Sequence, residues 1–200
     1  DHSLSRNFLF MNELNILRKL MREKRNALTK EFREEASRKL LNNFKKLNNI
    51  NDFNNIGVYF SFDGEMDLKN IINYCWQENK KCFLPKIINT ENKKLIFCEY
   101  HSKTKLIKNK FGIPEPVGAV GVEVEDLELI LLPLTVFDSH GHRLGMGQGY
   151  YDLTLQNLKN PPKLVGIGYN LQHVESLIPS PTDVTLDAVI TEKDIRQDFK

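Results

Sequence analysis

The sequence predicts an α/β fold of three layers, α/β/α, with a mostly parallel central sheet covered by helices. Three observations carry this. From Ile56 onward, short runs of β formers alternate with a helical segment in strand, helix, strand order, and such a βαβ unit brings its strands together in parallel. The later runs, above all Leu129-Ile-Leu-Leu132, are apolar without alternation, as strands buried on both faces must be. The chain has 200 residues, 40% of them hydrophobic, enough for one sizeable core and too few for two ordinary domains.

Met11 opens the first strongly patterned segment, so residues 1 to 10 read as an N-terminal extension or remnant and residues 11 to 200 as a single domain. Asn12 is placed to cap a helix in which Leu14, Leu17, Met21 and Leu28 recur at helical spacing, with Arg18, Arg22 and Arg25 on another face. Thr29 is placed to cap a second helix, Lys30 to about Phe44, whose apolar stripe is Phe32, Ala36 and Leu40. The asparagine-rich stretch from Asn42 to Asn55 reads as turn and loop. Ile56 to Phe60 is the first strand, Asp63-Gly64 a turn, Asp67 to about Asn79 a helix and Cys82 to Pro85 the next strand. Further strands fall at Leu95 to Phe97, within Asp126 to Val136, at Leu164 to Gly168 and at Ala188 to Ile190. There is no repeat at solenoid period, and Pro114, Pro116, Pro161 and Pro162 punctuate loops.

Lysine and arginine total 28 against 26 acids, a net charge of +2, which gives no general argument for nucleic acid or an anionic membrane. No run approaches the roughly 20 apolar residues that span a bilayer. Cys75, Cys82 and Cys98 are odd in number, lie in apolar context and lack C-x-x-C spacing, which fits reduced, buried thiols. The expectation is a monomeric cytoplasmic protein that binds small molecules.

Residues 129 to 152 carry the chemistry: a buried strand runs into a loop holding Gly145, Gly147 and Gly149, then into a helix. Ligands of open α/β sheets bind beyond the carboxyl ends of strands. Glycines at alternating positions let backbone N–H groups converge on phosphate oxygens, and a following helix N-terminus adds partial positive charge. Arg143 supplies a full charge, and Asp152 is placed to reach magnesium bridging those phosphates. As a bare pattern G-x-G-x-G is weak, being neither the Walker A sequence nor the Rossmann fingerprint. The bland readings are a tight turn, a helix-start carboxylate at Asp152 and a surface charge at Arg143.

The run Phe137-Asp138-x-x-Gly141-x-Arg143-Leu144-Gly145-x-Gly147-x-Gly149-Tyr150-Tyr151-Asp152 closely resembles the signature of the 5-formyltetrahydrofolate cyclo-ligases, also called methenyltetrahydrofolate synthetases. The resemblance extends to Arg25 through Thr29, Tyr59 to Glu65, Phe83 to Lys86, Phe111 to Pro116 and Asp183 through Thr191. It implies a three-layer fold like that of sugar-phosphate isomerases and coenzyme A transferases. It also implies an ATP- and Mg2+-dependent ligase that converts 5-formyltetrahydrofolate to 5,10-methenyltetrahydrofolate with release of ADP and phosphate. The formyl oxygen is phosphorylated, and the neighbouring folate nitrogen then closes the ring.

By position in the motif, Arg143 and Tyr151 would be catalytic. Arg18, Arg143, Leu144, Gly145, Met146, Gly147, Gln148, Gly149, Tyr150 and Tyr151 would bind ATP. Phe60, Glu65 and Phe111, with residues 146 to 150, would bind the folate. Asp152 and Asp183 would hold the metal, with Asp187 the competitor for the second place. Lys86 stands where it would meet phosphate or the substrate's glutamate tail. One position departs from the pattern: a lysine expected four residues before Arg18 is Leu14 here, leaving Lys19 or Arg22 to replace it. That departure supports the alternative of a non-catalytic folate- or nucleotide-binding protein of the same fold. His140 and His142 invite a metal reading, but with no third ligand evident they read as an exposed loop.

Overall fold

The computed structural model describes residues 2–199, and side chains from residue 11 onward. Helix α1 spans His2–Asn26 and α2 Lys30–Phe44. Strand β1 (Asn55–Gly57), helix α3 (Lys69–Gln77) and strand β2 (Lys81–Asn89) follow, then β3 (Lys94–Tyr100), the hairpin β4 (Leu106–Lys108) and β5 (Pro114–Pro116), and β6 (Gly121–Val122). Next come β7 (Leu129–Pro133), the hairpin β8 (Val136–Phe137) and β9 (Arg143–Leu144), helix α4 (Tyr150–Leu155), and β10 (Lys163–Ile167), β11 (Ala188–Ile190) and β12 (Ile195–Gln197).

Eight of these strands form one sheet in the order β12-β11-β10-β7-β1-β2-β3-β6. The pairings of β2 with β1, β1 with β7, β7 with β10 and β10 with β11 are parallel, and only the edges are antiparallel. Alternation along β7 divides the core. Leu129 and Leu131 join Ile56, Val165, Ile167 and Ile190 under α2 and α3, whereas Ile130 and Leu132 join Leu164, Val189 and Leu155 of α4 on the opposite face. A strand whose successive side chains enter two dry layers has to be apolar throughout, which is why this sequence does not alternate.

Thr29 caps α2, its Oγ1 accepting a hydrogen bond from the Phe32 N–H at 3.1 Å. Asn12 is not a cap: α1 continues upstream through it to His2, without a break at Met11. Along α1, Leu14, Leu17 and Met21 pack on Val136, Leu144 and Leu177, so the helix lies against the β8–β9 hairpin rather than in a helical layer. The asparagine-rich stretch is a loop with a short 3-10 turn only between residues 45 and 54: Asn42 and Asn43 still belong to α2, and Asn55 opens β1. The loop is pinned by Lys80, a buried ammonium that donates to the carbonyls of Ile50, Asn51 and Phe53, so a charge in the core is satisfied by backbone.

The chain moves from β1 to β2 and β3 on one side, then crosses to β7, β10 and β11 on the other. The crevice beyond the carboxyl ends of β1 and β7 is therefore the point where strand order reverses, the place such sheets offer to ligands. The Val58 N–H still donates to the Phe83 carbonyl at 2.8 Å, but from Tyr59 onward the expected strand leaves the sheet and becomes a wall of that crevice. Strands β4, β5, β6, β8, β9 and β12 have two or three residues each, too short to leave a periodic trace in sequence.

Candidate functional site

A cavity of about 650 Å³ fills the crevice, within the range of ligand sites. Its floor is Tyr59 and Phe60 beyond β1 and Pro133 to Thr135 at the end of β7. The rest of the lining includes Arg18 and the segment Arg143 to Asp152, then Phe62, Glu65, Phe111 and Ile113, and Asp183.

The glycine loop follows directly from β9, whose pairing with β8 turns Arg143 inward. Gly147 and Gly149 have φ of +89° and +75°, a left-handed backbone that costs other residues energy. Between Gly145 and Gly149 no backbone N–H has an acceptor among the described residues. The carbonyl side is used instead: Arg18 Nε donates to the Gly145 oxygen at 3.0 Å, and its guanidinium lies beside Gly147. Burial pulls the Arg18 pKa down while Asp183 opposes it; guanidinium remains cationic in either case.

Arg143, only 6% exposed, donates from Nη1 to Asp152 Oδ1 at 2.9 Å, and its Nε has no partner. Asp152 Oδ1 also accepts the Val184 N–H at 3.2 Å, which ties the carboxylate to the segment carrying Asp183. Helix α4 has six residues, less than two turns, so its dipole is a lesser contribution than the sequence suggests. Positive potential here comes from two arginines and from open N–H groups.

The lining around Phe60, Phe62, Phe111 and Ile113 is mostly apolar and carries two acids, Glu65 and Glu115. Phe60 meets Tyr100 edge-on at 5.3 Å, and Phe111 meets Tyr150 at 6.1 Å. Glu65 Oε2 accepts the Phe62 N–H at 3.0 Å. Burial raises its pKa to about 7, against the opposing pull of the Phe62 N–H and Arg25. Burial, and the charge of Glu65, push the Tyr151 phenol well up, so it stays protonated as a donor.

A sequence model of the 5-formyltetrahydrofolate cyclo-ligase family matches residues 11–192. The chain belongs to that family. The cyclo-ligase of Escherichia coli K12 is 33% identical, over 86% of this chain and 96% of that one. That of Haemophilus influenzae is 42% identical over 66% and 72%. The solved Aquifex aeolicus 5,10-methenyltetrahydrofolate synthetase superposes with a TM-score of 0.80 at 34% identity, covering 92% of this chain and 91% of that one.

Every site residue expected from the cyclo-ligase resemblance, from Arg18, Phe60, Glu65 and Phe111 to Arg143 through Asp152 and Asp183, lines this one cavity. Asp187 does not: its Oδ2 accepts the Leu164 N–H at 2.9 Å, bracing β10. Lys86 also lies outside the cavity lining. Leu14 lines the cavity while packing on the α1 cluster, Arg22 lines it but is paired with Asp63, and the Lys19 ammonium is mostly in solvent beside Glu23.

Sequence reasoning passed over Phe62, Tyr59 and Arg25. Phe62 and Tyr59 sit within the matched segment around Glu65, which was the available signal. Arg25 read as one more charge on a basic helix face, yet it is fully buried. A third metal-capable group near His140 and His142 does exist, in Asp138. Its carboxylate already accepts the N–H groups of His140, His142 and Leu177 and the ring of His142, a saturated set that acts as a loop brace.

Proposed function

We propose that this cavity is where the chain carries out the ATP-dependent conversion of 5-formyltetrahydrofolate to 5,10-methenyltetrahydrofolate, with the nucleotide on the glycine-loop side and the folate against Phe60, Phe62 and Phe111. The observation that carries the assignment is the unlike character of two parts of the cavity lining. Open N–H groups with Arg18 and Arg143 suit polyphosphate, and aromatic rings around a buried carboxyl suit a flat amino-pyrimidine.

In the chemistry that follows, the formyl oxygen attacks the γ-phosphorus and ADP leaves. The folate N10 then attacks the activated carbon and phosphate departs with the former formyl oxygen, the N10 proton passing to solvent. Little covalent work is left to the protein beyond alignment and charge compensation. Arg143, with its unpartnered Nε at the cavity wall, supplies positive charge to the transferring group. Tyr151 donates a hydrogen bond beside it. Arg18 shapes the loop through the Gly145 carbonyl, and Glu65 orients the pterin edge.

Asp152 and Asp183 fit a magnesium ion: both are oxygen donors on one cavity, joined through the Val184 N–H, and the hydrogen bonds of Asp152 fall on Oδ1 alone. Bound there, magnesium would neutralise phosphate charge. The domain from residue 11 onward acts as a cytoplasmic monomer, without nucleic acid or membrane. Its three cysteines are buried and free, and no described helix is long and apolar enough to cross a membrane.

The test is a spectrophotometric assay of methenyl product with 5-formyltetrahydrofolate, ATP and magnesium, omitting each in turn. Product that requires all three is expected. Tight binding of folate or ATP without product would replace this reading with a non-catalytic binding protein, for which Leu14 in an apolar cluster is the favouring observation.

A further inference from the structure

Behind the cavity lies a cation that does not line it. The Arg25 guanidinium is fully buried. Its Nε donates to the Asp63 carbonyl at 2.8 Å and its Nη2 to Asp63 Oδ2 at 3.3 Å, with Glu65 Oε1 at 4.0 Å. On its other side Nη1 reaches the Leu134 carbonyl at 3.3 Å, and Nη2 the Met146 sulfur at 3.7 Å. One side chain thus touches the turn that carries Glu65, the end of β7 and the glycine loop. The turn fits closely: Gly64 has φ of +75°, and a Cβ there would fall 2.6 Å from Asn26 Oδ1.

A buried charge is an expensive way to join elements. Exchanging buried ion pairs for apolar side chains of similar volume often leaves a fold as stable or more so, and a carboxyl as dehydrated as Glu65 gains its charged form only beside a cation. Asp63 already has Arg22 as a second partner, so the turn alone does not need Arg25.

We propose that Arg25 is a positioning residue that sets the Glu65 turn and the glycine loop in register with each other, aligning the folate against the nucleotide. The proposal rests on the functional reading above. The charged and titratable groups facing Glu65 are Arg25 and Arg22 from α1, Asp63 and Tyr59 from its own segment, and Tyr151 from α4. Of these, Arg25 makes direct polar contacts both to the turn that carries Glu65 and to Met146 of the glycine loop.

The test pairs kinetics with a titration of the Glu65 carboxyl, followed by carbon-13 NMR and assigned by the signal lost in Glu65→Gln. In Arg25→Met the Glu65 titration should move upward by about one unit, and the KM values for both 5-formyltetrahydrofolate and ATP should rise about tenfold. Arg25→Lys, which keeps the charge but not the planar fork, should raise both KM values with a smaller titration shift. Unchanged KM values and titration in a folded Arg25→Met, or failure of both variants to fold, overturns the proposal. A wild-type protein that makes no methenyl product sinks the functional reading instead, and the titration still judges Arg25.

Discussion

Two loops leave the same hairpin, and they dispose of their backbone in opposite ways. In residues 138 to 142 the buried Asp138 carboxylate collects the N–H groups of His140 and His142, the His142 ring and the Leu177 N–H. In residues 145 to 149 no N–H has an internal acceptor among the described residues. The first loop is finished by its own carboxylate; the second is completed only by something from outside. The second loop is half-buried to exposed, so its donors are open to water or to a ligand, whereas those of the first are already spent on a carboxylate.

The comparison can be broken most severely at the open loop. Arg143→Ala should lower kcat about a thousandfold while leaving thermal stability close to wild type; single-turnover measurement of ADP formation checks this, and an intact ATP step would move Arg143 out of the chemistry. At the closed loop the expectation reverses. Asp138→Asn should cost about 3 kcal/mol of stability, seen in denaturant unfolding, with residual turnover in the folded fraction.

The pH dependence sharpens the same point. Burial pushes the Asp138 pKa up, but the N–H groups of Leu177 and His140 and the His142 contacts outweigh it, and the net value lies below 3.8. A depressed carboxylate contributes stability above its unfolded value and loses it as pH falls through the folded one. Wild type should therefore weaken more steeply than Asp138→Asn below about pH 4.

Gly147→Ala should raise the KM for ATP about tenfold, because φ of +89° costs an alanine on the order of 1–2 kcal/mol. His140→Ala should change neither stability nor activity by more than about 0.5 kcal/mol, since its ring is largely in solvent. A marked loss in His140→Ala, or zinc-dependent stabilisation abolished by it, would make the braced loop a metal site after all.

The glycine loop, Arg143 and Asp152 were legible in sequence because consecutive residues carry them, and the Thr29 cap and the unalternating Leu129 to Leu132 run were legible because local geometry dictates them. Arg25 was not. Charges on a helix look alike until the partners are known, and those of Arg25 lie 38, 109 and 121 positions along the chain. Asp183, which could be a turn aspartate, and Asp187, which could merely start the last strand, were likewise rivals for one place; the structure ties Asp187 to β10 and leaves Asp183 at the cavity.

By itself, then, the sequence determined the α/β class, the buried central strands, the family signature and the loop that follows β9. These depend on short-range periodicity and on residue types held within a few positions of one another. Only the tertiary structure decided which charges are buried, which carboxylates are already spent on backbone N–H groups and where α1 meets the glycine loop. Each of those is set by packing between segments far apart in the chain, where desolvation rather than local propensity decides what a charged group can do.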